Sequence, residues 1–154
     1  EGDLRPQLLD RFGLCVRVIS IPEKVSRMEI LRRKAAFDSQ PAVFGAQWDQ
    51  EQKTLAERII TAKKGLNAIN LPDEVLEKIV SITSPLNLDG HRADIVIMKS
   101  ARALTAFRNK NMIETSDIKD AAQLSLSHRM KRLPFEEIGR DSEKLLAALA
   151  EIKT

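Results

Sequence analysis

Leu4-Arg5-Pro6-Gln7-Leu8-Leu9-Asp10-Arg11-Phe12-Gly13-Leu14 is a short amphipathic stretch that carries two arginines beside an apolar run. Pro6 suits the first turn of a short helix, and Gly13 suits its end. Leu8, Leu9 and Phe12 are spaced to anchor the stretch to a core while Asp10 and Arg11 face outward. The apolar run that follows, from Leu14 to about Ile19, reads as a buried strand. An arginine held between a helix and a core strand is a charge presented to a ligand. Phosphate is the usual ligand for a planar, permanently charged fork. A single strand cannot satisfy its own backbone hydrogen bonds, and even an isolated pair is marginal. The strand is therefore expected to belong to a sheet lying outside this chain, or to be irregular here.

The chain has 154 residues, enough for one domain with a modest core. Aromatic residues make up only 4%, with no Tyr and one Trp. A core built from Leu, Ile, Val and Ala favours helices. The net charge of +3 is too small to argue for nucleic acid by itself. The one cysteine, Cys15, excludes a disulfide framework within the chain and points to a reducing compartment. The sequence offers no apolar run of the roughly 18 residues that a membrane span needs. A cytoplasmic location is expected. The start at Glu1, without Met, reads as a piece of a longer protein.

Beyond residue 21 the apolar spacing is helical throughout. Pro22 opens a helix with Val25, Met28, Ile30, Leu31, Ala35 and Phe37 as apolar positions and Arg27, Arg32, Arg33 and Lys34 as a basic face. Asp38 to Pro41 breaks it, and a short piece runs from Pro41 to Gly45. A long helix is predicted over Asp49 to Asn67. Another is predicted from Pro72 to Ser84, stopped by Pro85. From His91 or Arg92 to Phe107 so many positions are apolar that the segment reads as the central helix of a bundle, closed by Asn109-Lys110-Asn111. Thr115 is the expected N-cap of a helix to about Met130. Asp141 or Ser142 is expected to start the last helix, with Leu145, Leu146, Leu149 and Ile152 inward. The fold class is mainly α, with 1–21 as a helix–strand piece, 22–66 as connecting helices and 67–154 as a helical bundle.

A second motif is Leu88-Asp89-Gly90-His91-Arg92-Ala93-Asp94-Ile95. A turn at Gly90 feeds the central helix and puts Arg92 in its first turn. The helix macrodipole disfavours a cation there, so a nearby anion would relieve the conflict. The alternative is a surface pair of Arg92 with Asp89 or Asp94. A third is Ser127-His128-Arg129-Met130-Lys131-Arg132-Leu133-Pro134. Basic residues at a helix C-terminus are satisfied by the dipole alone; a subunit or nucleic-acid contact is the functional alternative. Cys15, His91 and His128 lack metal-ligand spacing. No GxxxxGK[ST] occurs, and no strand ends in an Asp-Glu pair.

LRPQLLDRFGL resembles the segment that ends the ATPase core in the AAA+ motor subunit of magnesium chelatase. More remote relatives are the cobalt chelatase small subunit and the MoxR ATPases. The second motif is similar to the sensor 2 motif of those ATPases, and the His-Arg pair of the third also has a counterpart there. The resemblance runs from Leu4 to about Pro134. It implies that residues 1–21 end the AAA+ core and that 67–154 form its helical lid. It makes Arg11 an arginine finger reaching ATP on a neighbouring subunit, with Asp10 orienting it or pairing across the interface. Arg5 becomes a weaker interface residue and Arg92 the sensor 2 arginine. The parent would be an ATP-hydrolysing, magnesium chelatase-type ligase subunit using ATP and Mg2+. It would work as a homo-oligomeric ring beside a subunit with an integrin-like domain and a large porphyrin-binding subunit. Lacking a P-loop, this chain alone should bind no nucleotide productively and be inactive. Two alternatives are a MoxR-like or cobalt-chelatase-type chaperone with another client, and a nucleic-acid-binding helical module resting on Arg32-Arg33-Lys34 and Arg129 to Arg132. The last is disfavoured, because no aromatics interleave the basic residues and no helix-turn-helix can be placed.

Overall fold

The computed structural model describes residues 6–16, 18–86, 88, 90–130 and 140–151, with side chains from Leu8 onward and, in the last helix, from Leu145. The regular structure among these residues is helical, as expected. It runs α1 (Pro6–Leu9), α2 (Lys24–Ser39), α3 (Pro41–Ala46), α4 (Asp49–Gly65), α5 (Asp73–Thr83), α6 (Arg92–Phe107), α7 (Thr115–Leu126) and α8 (Arg140–Glu151). Short 3-10 turns lie at Leu66–Ala68 and Ser84–Leu86. The described residues form two compact units: one of those up to 16 together with those beyond 60, the other of those within 17–60.

The first unit is the bundle of α5 to α8. Val75, Ile79 and Ile82 mark the buried face of α5. On α6 the buried residues are Ala93, Ile97, Ala101 and Thr105, each four apart, one face of a 3.6-residue repeat. Ala121, Ala122, Ile118 and Leu126 of α7 complete the core, with Leu145, Ala148 and Leu149 of α8. α7 packs most extensively against α6, and alanines on both helices permit that approach. α6 packs against both α5 and α7, as expected of a central helix, although Ile95 stays 48% exposed. Leu76 and Val80 of α5 are exposed, as is Leu146 of α8, which was expected inward. Ile152 lies outside the described residues.

Local chemistry fixes the helix ends. α5 ends at Thr83, one residue before the predicted Ser84, and Pro85 stands in the 3-10 turn that follows. α6 closes with Asn109 at φ +56°, the Asn109 N–H donating to Ala106 O at 3.0 Å and the Lys110 N–H to Thr105 O at 3.0 Å. That is the double-bonded left-handed cap, and Asn tolerates its conformation better than most residues. The cap of α7 is Glu114, not Thr115. Glu114 and Asp117 form a reciprocal capping box, in which the Glu114 N–H donates to Asp117 Oδ2 at 3.1 Å. Asp117 is fully buried, 3.0 Å from the Thr105 hydroxyl and bonded to Arg108, which also binds Asp120 at 2.5 Å.

The second unit contains α2, α3 and the part of α4 up to Ile60. None of these helices buries a residue fully. Phe37 meets Phe44 edge-on at 5.9 Å, Phe44 tilts against Trp48 at 6.2 Å, and the Arg33 guanidinium sits 5.1 Å over the Trp48 ring.

The predicted strand from Leu14 to Ile19 is not formed among the described residues. Val16 and Ile19 are exposed, and Val18 is 90% exposed. The physical reason is the one that made the expectation conditional: no second strand is present to accept its hydrogen bonds. Cys15 instead donates its N–H to Leu124 O of α7 at 2.8 Å.

Candidate functional site

The opening stretch continues beyond α1 in tight turns. Arg11 N–H donates to Leu8 O at 3.0 Å and Phe12 N–H to Leu9 O at 3.1 Å. These turns deliver Arg11 to the surface, exposed. The apolar anchoring expected of the stretch is corrected: Leu8 is 48% and Phe12 59% exposed, and only Leu9 is half-buried.

Polar contacts from the far end of α7 hold the stretch instead. Arg129 donates to Asp10 Oδ1 at 2.5 Å, to Asp10 O at 3.1 Å and to Phe12 O at 2.9 Å. Its side chain is only 5% exposed. The Nε2 of His128 lies 2.8 Å from Phe12 O. A carbonyl only accepts, so this nitrogen carries the hydrogen. The two residues flanking Arg11 are thus fixed through their carbonyls, and Asp10 through its carboxylate as well. Asp10 pairs with Arg129, not with Arg11.

The second motif arrives beside the first. Gly90, at φ +69°, makes the left-handed turn that starts α6, a conformation that L side chains adopt at a cost. Arg92, in the first turn of α6, is exposed and points Nη2 to within 3.5 Å of Arg11 O. One turn along, Val96 backs Gly13: a Cβ built on Gly13 would stand 3.6 Å from Val96 Cγ1. The Arg92 side chain thus reaches the backbone of Arg11, although 81 positions separate them. Among the described residues neither guanidinium has a carboxylate partner. Asp94, considered as a partner for Arg92, lies 3.5 Å from His91 Nδ1 instead. Arg5 and Asp89 fall outside the described residues, as do Lys131 and Arg132.

Two exposed, permanently charged guanidinium groups without a carboxylate partner among the described residues can receive an anion. Among the described residues no cluster of His, Cys, Asp and Glu could hold a metal ion. The basic run in the second unit is differently disposed. Arg32 and Arg33 both pair with Glu29, at 3.7 and 2.9 Å, and Lys34 pairs with Asp38. The hydrogen bond from Arg33 holds the Glu29 carboxyl below the usual carboxylate range. Among the described residues no helix is long and apolar enough to cross a membrane.

Sequence reasoning singled out Arg11 and Arg92 but missed what Arg129 does. The His-Arg pair at the end of α7 was visible; its partners, 116 to 119 positions upstream, were not.

Within this helical bundle, residues 76–148 match the family model of the AAA lid domain. Over nearly its full length the chain is similar to magnesium-chelatase subunits named ChlI. It is 39% identical to the magnesium-chelatase subunit ChlI homolog of Methanocaldococcus jannaschii, over 99% of this chain and 42% of that protein. It is 41% identical to the magnesium-chelatase subunit ChlI of Euglena gracilis, over 90% of this chain and 40% of that one. It is 36% identical to the ChlI subunit of Anabaena variabilis, over 97% and 45%. The chain thus spans less than half the length of these relatives.

Proposed function

We propose that this chain is the lid-bearing part of an AAA+ ATPase of the magnesium chelatase type. Residues 1–21 close the ATPase core, 22–66 connect, and 67–154 form the lid. Subunits assemble in a ring that hydrolyses ATP with Mg2+, and the ring drives partner subunits to insert Mg2+ into protoporphyrin IX. Arg11 acts as the arginine finger on ATP held by the neighbouring subunit. Arg92 acts on the same phosphate and reports its presence to α6. The observation that supports this reading is that the exposed Arg92 side chain reaches the backbone of the exposed Arg11, Nη2 lying 3.5 Å from Arg11 O.

The chemistry follows from that placement. Bound ATP supplies the phosphoryl group, and charge develops on its oxygens as the bond to the leaving oxygen breaks. A guanidinium already in place stabilises that charge without reorganising. Arg11 is exposed and free of a carboxylate among the described residues, so no local ion pair must be broken for it to reach out. The test is ATP turnover by the full-length protein. Arg11→Ala should lower kcat by about 10³-fold or more, the usual worth of a finger. Arg92→Ala should lower it by about 10²-fold, as for one lost transition-state donor. Wild-type turnover in both variants would overturn the assignment.

A further inference from the structure

We propose that Arg129 is the positioning residue of the Arg11 finger. The inference rests on the finger reading and deepens it, by tying the finger's aim to the end of α7. Three donor contacts run from Arg129 to the two residues on either side of Arg11, and His128 adds a fourth contact at Phe12 O. Among the described residues no hydrogen bond or ion pair holds the Arg11 side chain. Its apolar neighbours Leu8 and Phe12 are exposed, and the short α1 ends before it. Without the clamp, the backbone from Asp10 to Phe12 would be held by its own two turn hydrogen bonds and, weakly, by Arg92 at 3.5 Å.

The chemistry of the clamp requires arginine. Its fork meets a carboxylate oxygen and two carbonyls at once, and the side chain is almost wholly buried while doing so. A lysine ammonium is a point charge and cannot span acceptors on two residues in that geometry. A finger works only when its guanidinium is held within a fraction of an ångström of its productive position. Arg129 never touches nucleotide on this account. It acts through Arg11, by keeping Asp10 and Phe12 in register with α7 and, through Cys15 N–H to Leu124 O, with the bundle.

The experiment is a double-mutant cycle on steady-state ATPase in the full-length protein, with Arg11→Ala, Arg129→Ala, Arg129→Lys and the two combinations. Arg129→Ala should lower kcat at least tenfold while KM for ATP changes less than twofold. Arg129→Lys, which keeps stem and charge, should fail to rescue. In the Arg11→Ala background neither Arg129 change should lower kcat further, because there is no finger left to aim. A merely structural role would instead multiply the two losses, and that outcome overturns the proposal. So does wild-type kcat in folded Arg129→Ala. If Arg129→Ala does not fold, the Lys variant carries the same test: unchanged kcat there overturns the proposal, and a loss that vanishes in the Arg11→Ala background supports it. Arg11→Ala alone separates the two claims. Wild-type turnover in that variant removes the finger reading, whereas lost turnover beside an unaffected Arg129→Ala removes only the clamp.

Discussion

Asp117 does at the other end of α7 what Arg129 does at its C-terminal margin: it satisfies several groups from a buried position. Burial by itself pushes its carboxyl upward. The Glu114 N–H, Arg108, Thr105 and the charge of Lys110 outweigh that and leave it below the usual carboxylate range. A carboxyl whose folded pKa lies below its unfolded value stabilises the fold above the unfolded pKa of about 3.9. That contribution fades as the pH drops through the unfolded and then the folded value. Asp117→Asn should therefore lower the urea midpoint most at pH 7 and little near pH 2 to 3, read from denaturation curves at both. Asp117→Ala should cost roughly 2–3 kcal/mol at pH 7. That exceeds a lost cap alone, and stays below a fully buried broken pair because Arg108 is a third exposed and keeps Asp120. None of this network was read from the sequence, which offered Thr115 as the cap. The partners of Asp117 at Thr105 and Arg108 sit on another helix, and sequence spacing does not register contacts between helices.

At the scale of the element, what was legible is what is local. Pro85 after α5, Gly90 before α6 and Asn109 after it act within a turn of themselves, and each bound stands at or within one residue of where the sequence put it. Asn109, at φ +56°, should accept glycine with no loss of stability. Valine there should cost on the order of 1–2 kcal/mol, because a β-branched residue resists the left-handed region. Faces were less legible than bounds. Ile95 and Ile97 look alike in the sequence, yet Ile97 is wholly buried and Ile95 half exposed. Ile97→Ala should cost about 2–5 kcal/mol by thermal or urea unfolding, and Ile95→Ala within about 1 kcal/mol. The stretch from Leu14 to Ile19 shows the limit of composition. Its residues prefer strands, but a strand exists only against a partner, and none stands beside it. The exposure of Val16, Val18 and Ile19 follows directly.

For the whole molecule, the two arginine motifs make sense together. The macrodipole conflict at Arg92 and the outward charge of Arg11 are separate features of the sequence. In the structure the Arg92 side chain reaches the Arg11 backbone, and on the proposed reading one phosphate would answer both. The second unit contributes differently. Its helices bury no residue fully and its basic run is internally paired, so the charge of the chain concentrates its meaning at Arg11 and Arg92. A site that serves a neighbour's nucleotide has a direct signature in mixed assemblies. Arg11→Ala subunits should be mixed with subunits of the full-length protein whose P-loop lysine is replaced, each nearly inactive alone, and ATP turnover measured across mixing ratios. If Arg11 works in trans, mixing restores activity, greatest near equal proportions, because intact fingers then meet intact P-loops. Turnover that stays at the sum of the two inactive parents at every ratio would contradict the account.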